Sequence, residues 1–252
     1  MGILRAIMRP IKLVVYESDC QVFYSHSGYC DPPMGEKKDI TEFTKESRRR
    51  LAFVAANTSV LFAVMITLTY PKEFPTNGET VKLHLKRFKE SLLRRFPAEY
   101  LWCLEFQKRG APHCHILLDN PDPLKDRLWV SKRWYEIVGS KDHKHLLAGT
   151  RTERLRSKEG GKRYIVKYTA KMRQKIVPAE YAKVGRFWGH SRKVKPMEIG
   201  TIELGGEKAF WELIKNWDRA KSIKLPLKTL FNASESIQDV TNNRTSLHEA
   251  NL

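Results

Sequence analysis

The chain has 252 residues, enough for one large domain or one domain with appendages and for a sizeable buried core. It carries 46 Lys+Arg against 28 Asp+Glu, and the formal net charge of +18 points to a polyanionic partner, either nucleic acid or an anionic membrane surface. The sequence also lacks a Walker-type GxxxxGK[ST] loop: Gly160-Gly161-Lys162 has neither the earlier glycine nor the final hydroxyl, so no nucleotide cofactor is expected.

Residues 1 to about 38 form an N-terminal extension with one apolar run, Ile11–Tyr16, followed by irregular sequence rich in Gly, Pro and Cys. The opening MGILRAIMRPIKLVVY has no uninterrupted apolar stretch long enough for a signal peptide or a membrane span, so no membrane partner is expected. Cys20, Cys30, Cys103 and Cys114 fall at no paired metal spacing and read as reduced thiols of a cytoplasmic protein. Residues 41–56 are expected to be helical, with Thr41 or Thr44 as cap. Arg48, Arg49 and Arg50 there are either a solvated face or phosphate contacts.

The β-branched run Val60–Tyr70 reads as a buried strand ended by Pro71. Thr80 then caps a helix whose apolar stripe is Val81, Leu85, Phe88, Leu92 and Phe96. A hairpin follows over Trp102–Leu118 with its turn at Lys108–Pro112, then a turn at Asn120–Pro123 and a helix over Trp129–Val138 stopped by Gly139. Residues 147–157 suggest another strand, and Tyr164–Lys175 a helix. Ala179–Pro196 mixes basic and aromatic residues, among them Phe187 and Trp188. Phe210, Leu213, Ile214 and Trp217 sit at helical spacing, and from about Ser222 the chain reads as a polar, poorly ordered tail. The expected domains are thus an extension over 1–38, a main domain over 39–220 and a tail over 221–252. Strands with helices on one face of a mainly antiparallel sheet imply an α+β fold, with the hairpin central.

Two constellations could carry chemistry. In the second hairpin strand, His113 and His115 point one way and Cys114 the other, because strand side chains alternate. If the hairpin folds about Gly110, Glu105 lies across from His115 on the histidine face. Two imidazoles and a carboxylate on a rigid surface suit a divalent metal with open positions. In the helix after the glycine pair, Tyr164 and Tyr168 share a face, with Lys167 and Lys171 each three residues beyond a tyrosine. A phenol with pKa near ~10 is a poor nucleophile at neutral pH. It can attack a phosphodiester when a metal polarises the phosphate and an ammonium favours the phenolate. Aromatics such as Phe187 and Trp188 could stack unpaired bases.

These motifs resemble those of the HUH endonucleases, and within them the rolling-circle replication initiators of bacterial plasmids and single-stranded DNA phages. Ile66-Thr67-Leu68-Thr69 is similar to the first motif, His113-Cys114-His115 to the second and Tyr168-Thr169-Ala170-Lys171 to the third. Tyr164 gives the two-tyrosine form, as in the initiators of small icosahedral phages. The resemblance covers roughly residues 58–190. It implies a central antiparallel sheet of ferredoxin-like type and a Mg²⁺ or Mn²⁺ ion held by His113, His115 and Glu105. It further implies cleavage of single-stranded origin DNA by Tyr168 through a 5′-phosphotyrosine, with Tyr164 as second nucleophile and Lys171 and Lys167 stabilising charge. Without a P-loop, unwinding would fall to a host helicase.

Three other readings compete. A transposase or relaxase can share the motifs, but a relaxase more often has a third histidine and a tyrosine near the N-terminus. An iron oxygenase could use two histidines and a carboxylate, yet has no need of the basic charge. A DNA-binding regulator with a vestigial site is the third.

Overall fold

A computed structural model describes residues 11–24, 40–157, 177–181 and 184–204, together with 212 and 215. The chain divides into two compact units, one of Gly35–Pro196 and one joining Met1–Met34 to Met197–Leu252. The Tyr164, Lys167, Tyr168 and Lys171 helix lies outside the described residues, as do Phe210, Leu213, Ile214, Trp217 and the polar tail.

In the smaller unit, strands β1 (Ile11–Tyr16), β2 (Cys20–Tyr24) and β8 (Glu198–Leu204), numbered in chain order, form an antiparallel sheet of order β2-β1-β8. The apolar run is the middle strand: Leu13 pairs with Val22 on one side and with Ile202 on the other, and both Leu13 and Ile202 are buried. Their pairing joins segments far apart in the chain, which local patterning cannot report.

The larger unit opens with α1 (Lys45–Asn57), and Thr44 rather than Thr41 is the cap, its hydroxyl accepting from the Ser47 amide at 3.1 Å. Strand β3 (Val64–Thr69) follows, shorter than the apolar run that announces it. Helix α2 (Gly78–Arg95) begins earlier than expected because Asn77 is its cap, accepting from the Thr80 amide at 2.8 Å. Strands β4 (Tyr100–Phe106) and β5 (Pro112–Leu118) make the hairpin. Helix α3 (Arg127–Val138) is capped by Asp126 and closed by Gly139 at φ 65°, in the left-handed region that glycine adopts without a Cβ penalty. A short helix α4 (His143–Ala148), which the sequence reading did not foresee, leads into β6 (Thr150–Arg154). Trp188–His190 is β7.

The sheet order is β6-β3-β5-β4-β7, with every neighbouring pair antiparallel. The run β3-α2-β4-β5-α3-β6 is therefore a βαββαβ unit of ferredoxin-like topology, an α+β fold with β7 added at one edge. Its two long helices cover one face. Leu68, Leu104 and Cys114 look towards Val81, Leu85 and Trp134 there, around a small shared gap. Trp134 meets the rings of Phe88 and Tyr70 edge-on at 5.6 and 5.1 Å. Phe88 is fully buried, and burying such a side chain contributes about 1.5–3 kcal/mol. Cys114 is core, as its place in the alternation predicts.

Candidate active site

The site is built on the middle strand. On β5, His113 and His115 share a face, and each has a threonine directly across on β3: Thr69 opposite His113 and Thr67 opposite His115. On the other side, β4 places Glu105 opposite His113 and Cys103 opposite His115. The sequence reading had set Glu105 across from His115. The register differs because the turn spans Gln107–Ala111: the Gln107 amide donates to Ala111 O and the Gly110 amide to Gln107 O, both at 2.9 Å. Gly110 takes φ 79°, and Pro112 falls in the strand, paired with Phe106. Proline is tolerated there because it is the first strand residue.

Glu105 nevertheless reaches His115 diagonally, its Oε2 lying 3.9 Å from Nε2. That is too long for a hydrogen bond. It is within the span that one cation bridges with two bonds of about 2.0–2.2 Å. The His113 ring stands edge-on to His115 with centroids 4.6 Å apart. Glu105 is 2% exposed and His115 3%, so both are removed from bulk water. Among the described residues, no three His, Cys, Asp or Glu side chains converge as a finished metal cage. What the structure brings together is a facing carboxylate–imidazole pair with a second imidazole beside it.

The threonines give this arrangement its orientation. Thr67 Oγ1 is 3.1 Å from His115 Nδ1, and Thr69 Oγ1 is 3.2 Å from His113 Nδ1. In the tautomer with its proton on Nδ1, each imidazole donates to its threonine and keeps the Nε2 lone pair for a ligand. Thr69 is itself held: its carbonyl accepts from the Trp134 indole N–H at 2.9 Å and lies 2.8 Å from His145 Nε2. Helices α3 and α4 thus brace the end of β3 that orients His113. Nearby, Arg109 donates to the carbonyls of Tyr70 and Pro71 and to Gln107 Oε1, tying the hairpin turn to the end of β3. Burial, and secondarily the Arg109 charge, lowers the His113 pKa to about 4. The imidazole is therefore neutral at physiological pH, the form that ligates a metal.

The sequence reading named Thr67 and Thr69 only as part of a motif. Their alternation, Thr-Leu-Thr facing His-Cys-His, was the available signal for their role. Phe187, offered as a base-stacking residue, is 3% exposed and stacked on Phe43 with centroids 5.4 Å apart, so it belongs to the core. Trp188 is half-buried and donates its indole N–H to Ser47. Arg49 and Arg50 are exposed and Arg48 is half-buried. Among the described residues no helix is long and apolar enough to cross a membrane.

No curated protein and no solved structure matches the chain at a significant level. Residues 63–173, somewhat under half of the chain, match the protein-family model described as "Replication-associated protein ORF2/G2P". The matched stretch opens just before β3, contains both site histidines and Glu105, and ends beyond Tyr168. This similarity supports a replication-initiator role and a DNA partner for the chain.

Proposed function

We propose that the chain is an HUH-type endonuclease that nicks and rejoins one DNA strand to initiate rolling-circle replication. One observation carries the reading: His113 and His115, each oriented by a threonine hydroxyl, share a sheet face with buried Glu105, which faces His115, in a stretch similar to replication-associated proteins.

Two imidazoles and a carboxylate leave open positions on a divalent ion, and His113, His115 and Glu105 would hold the Mg²⁺ or Mn²⁺ that the resemblance implies, with DNA phosphate oxygens and water completing the shell. Such an ion, when bound, polarises the scissile phosphate as a Lewis acid. The protein supplies the rest. Thr67 and Thr69 fix the imidazoles, and burial keeps His113 neutral. Tyr168, on the helix read from the sequence, is the first nucleophile. Its phenolate oxygen bonds to phosphorus, the P–O3′ bond breaks, and the 3′ oxygen leaves as a hydroxyl after taking a proton. The phosphodiester is thereby kept as a 5′-phosphotyrosine. Lys171 favours the phenolate of Tyr168, and Lys167 that of Tyr164. Tyr164 performs the second cleavage, after which the freed 3′-hydroxyl attacks the first phosphotyrosine and restores tyrosine and a closed strand. Strand separation falls to a partner helicase.

A denaturing gel tests this directly. Incubated with Mn²⁺ and single-stranded oligonucleotides tiled across the replicon of origin, the protein should give a covalent protein–DNA band that EDTA abolishes. Peptide mass should place the adduct on Tyr168, and Tyr168→Phe should lose the first cleavage. A Tyr168→Phe protein that forms the adduct at the normal rate would overturn the assignment, and a band insensitive to EDTA would overturn the metal.

A further inference from the structure

The proposed nicking centre accounts for the middle of the sheet but not for its β6 edge. There an open groove of about 750 Å³ lies between β6, the start of α3 and the end of α4. Four arginines line it: Arg127 from α3, Arg151 and Arg154 from β6, and Arg156 just beyond. Glu153 is the one carboxylate among the described lining residues, and it pairs with Arg151 at 2.7 Å. Among the described residues, no carboxylate lies within ion-pair distance of Arg127, Arg154 or Arg156, and all three side chains are exposed. Among the described residues the lining contains no aromatic ring on which an unpaired base could stack.

We propose that this groove holds the phosphodiester backbone of the DNA flanking the strand under attack where it passes the β6 edge of the sheet. The inference rests on the reading that the chain acts on DNA. Three exposed guanidiniums with no carboxylate partner among the described residues suit an anion, and their spread over a helix start, a strand edge and the segment after it suits successive phosphates better than one small ion. Planar guanidiniums bind phosphate oxygens in pairs. Contacts of this kind position a nucleic acid without reading its sequence. Arg151 links the groove to the histidine face, whereas Arg154 pairs with Val64 and so falls, with Leu68, on the face that α2 and α3 cover. Arg151 pairs with Thr67, and Thr67 pairs with His115, so the three share one sheet face. Two strand spacings separate Arg151 from His115, about 10 Å.

The test measures binding without cleavage. On a Tyr168→Phe background, the full chain is titrated with a fluorescent single-stranded oligonucleotide and with its duplex across a salt series. Combined Arg127→Ala, Arg154→Ala and Arg156→Ala substitutions should weaken binding. They should also reduce the slope of log K against log salt by about 0.7–0.9 per lost phosphate contact. The DNA form that shows the loss identifies the flank as single- or double-stranded. The triple lysine variant should restore most of the slope, separating charge from any disturbance of folding. Unchanged affinity and slope in the alanine variant would overturn the proposal. So would a groove that takes a glutamate-rich peptide, against its exposed rim residues Leu128 and Leu147, while DNA binding ignores the arginines. The covalent band on a short oligonucleotide reports the nicking reading separately, so either can fail alone.

Discussion

The two faces of the central sheet are made by the same strands and serve opposite ends. Towards α2 and α3, β3, β4 and β5 present Leu68, Leu104 and Cys114, a dry layer closed by aromatic edges. On the reverse face the neighbouring residues are Thr67, Glu105, His113 and His115. Glu105 and His115 are as buried there as the apolar residues opposite. Burial of apolar groups stabilises, whereas burial of a carboxylate beside imidazoles costs desolvation that must be offset by partners. The helix face therefore holds the fold, and the histidine face carries polar groups whose placement stability alone does not explain. Substitutions on the two faces should separate stability from activity.

The largest effect is expected at His115. His115→Ala should lower metal-dependent adduct formation by about 10²–10³-fold, the order found when one electrostatic contributor at a reacting phosphate or carbonyl is removed. Activity is read per folded molecule, because truncating a buried imidazole beside Glu105 also lowers thermal stability. Equal activity across a range of Mn²⁺ concentrations would break the contrast between the faces. On the helix face, Phe88→Ala should cost about 3–5 kcal/mol in urea unfolding, while nicking per folded molecule is unchanged. A proportionate loss of activity in the folded fraction would show that the dry layer also shapes the site.

Thr69→Val should be smaller and more diagnostic. It keeps the shape of the side chain but removes the hydroxyl at His113, so Mn²⁺ affinity should fall by about 10–100-fold with the melting temperature nearly constant. Thr69→Ser should recover most of it. The smallest effect concerns Cys114. Burial raises its thiol pKa from 9.0 to about 12. A raised folded-state pKa stabilises fully below the unfolded value, and that contribution fades as pH rises from 9 towards 12. Stability of the wild type should therefore fall more steeply over that window than that of Cys114→Ala, measured by urea unfolding at successive pH values. Parallel curves would place Cys114 outside the dry layer.

Much of the site was legible because the period of a strand is set by its backbone. His113 and His115 had to share a face and Cys114 had to oppose them wherever the strand was placed. The charge and the ordered motifs pointed to DNA, and the similarity of residues 63–173 to replication-associated proteins agrees. The apolar stripe of α2 likewise identified its buried side, with Val81, Leu85, Phe88 and Leu92 all in the core. Phe187 was misjudged because aromatic character looks the same in a sequence whether the ring faces water or, as here, Phe43.

What the tertiary structure decided is which residues meet across strands. Hydrogen bonds within the Gln107–Ala111 turn set Glu105 opposite His113 and leave it diagonal to His115, a two-residue difference invisible to alternation. Pairing with β3 made Thr67 and Thr69 the partners of the imidazoles, and helices α3 and α4 fixed Thr69 through Trp134 and His145. The joining of β1 to β8 and the gathering of arginines at the β6 edge are of the same kind. Periodicity along a chain follows from bonds between neighbouring residues. The choice of partner depends on contacts between segments distant in sequence, and those exist only once the chain has folded.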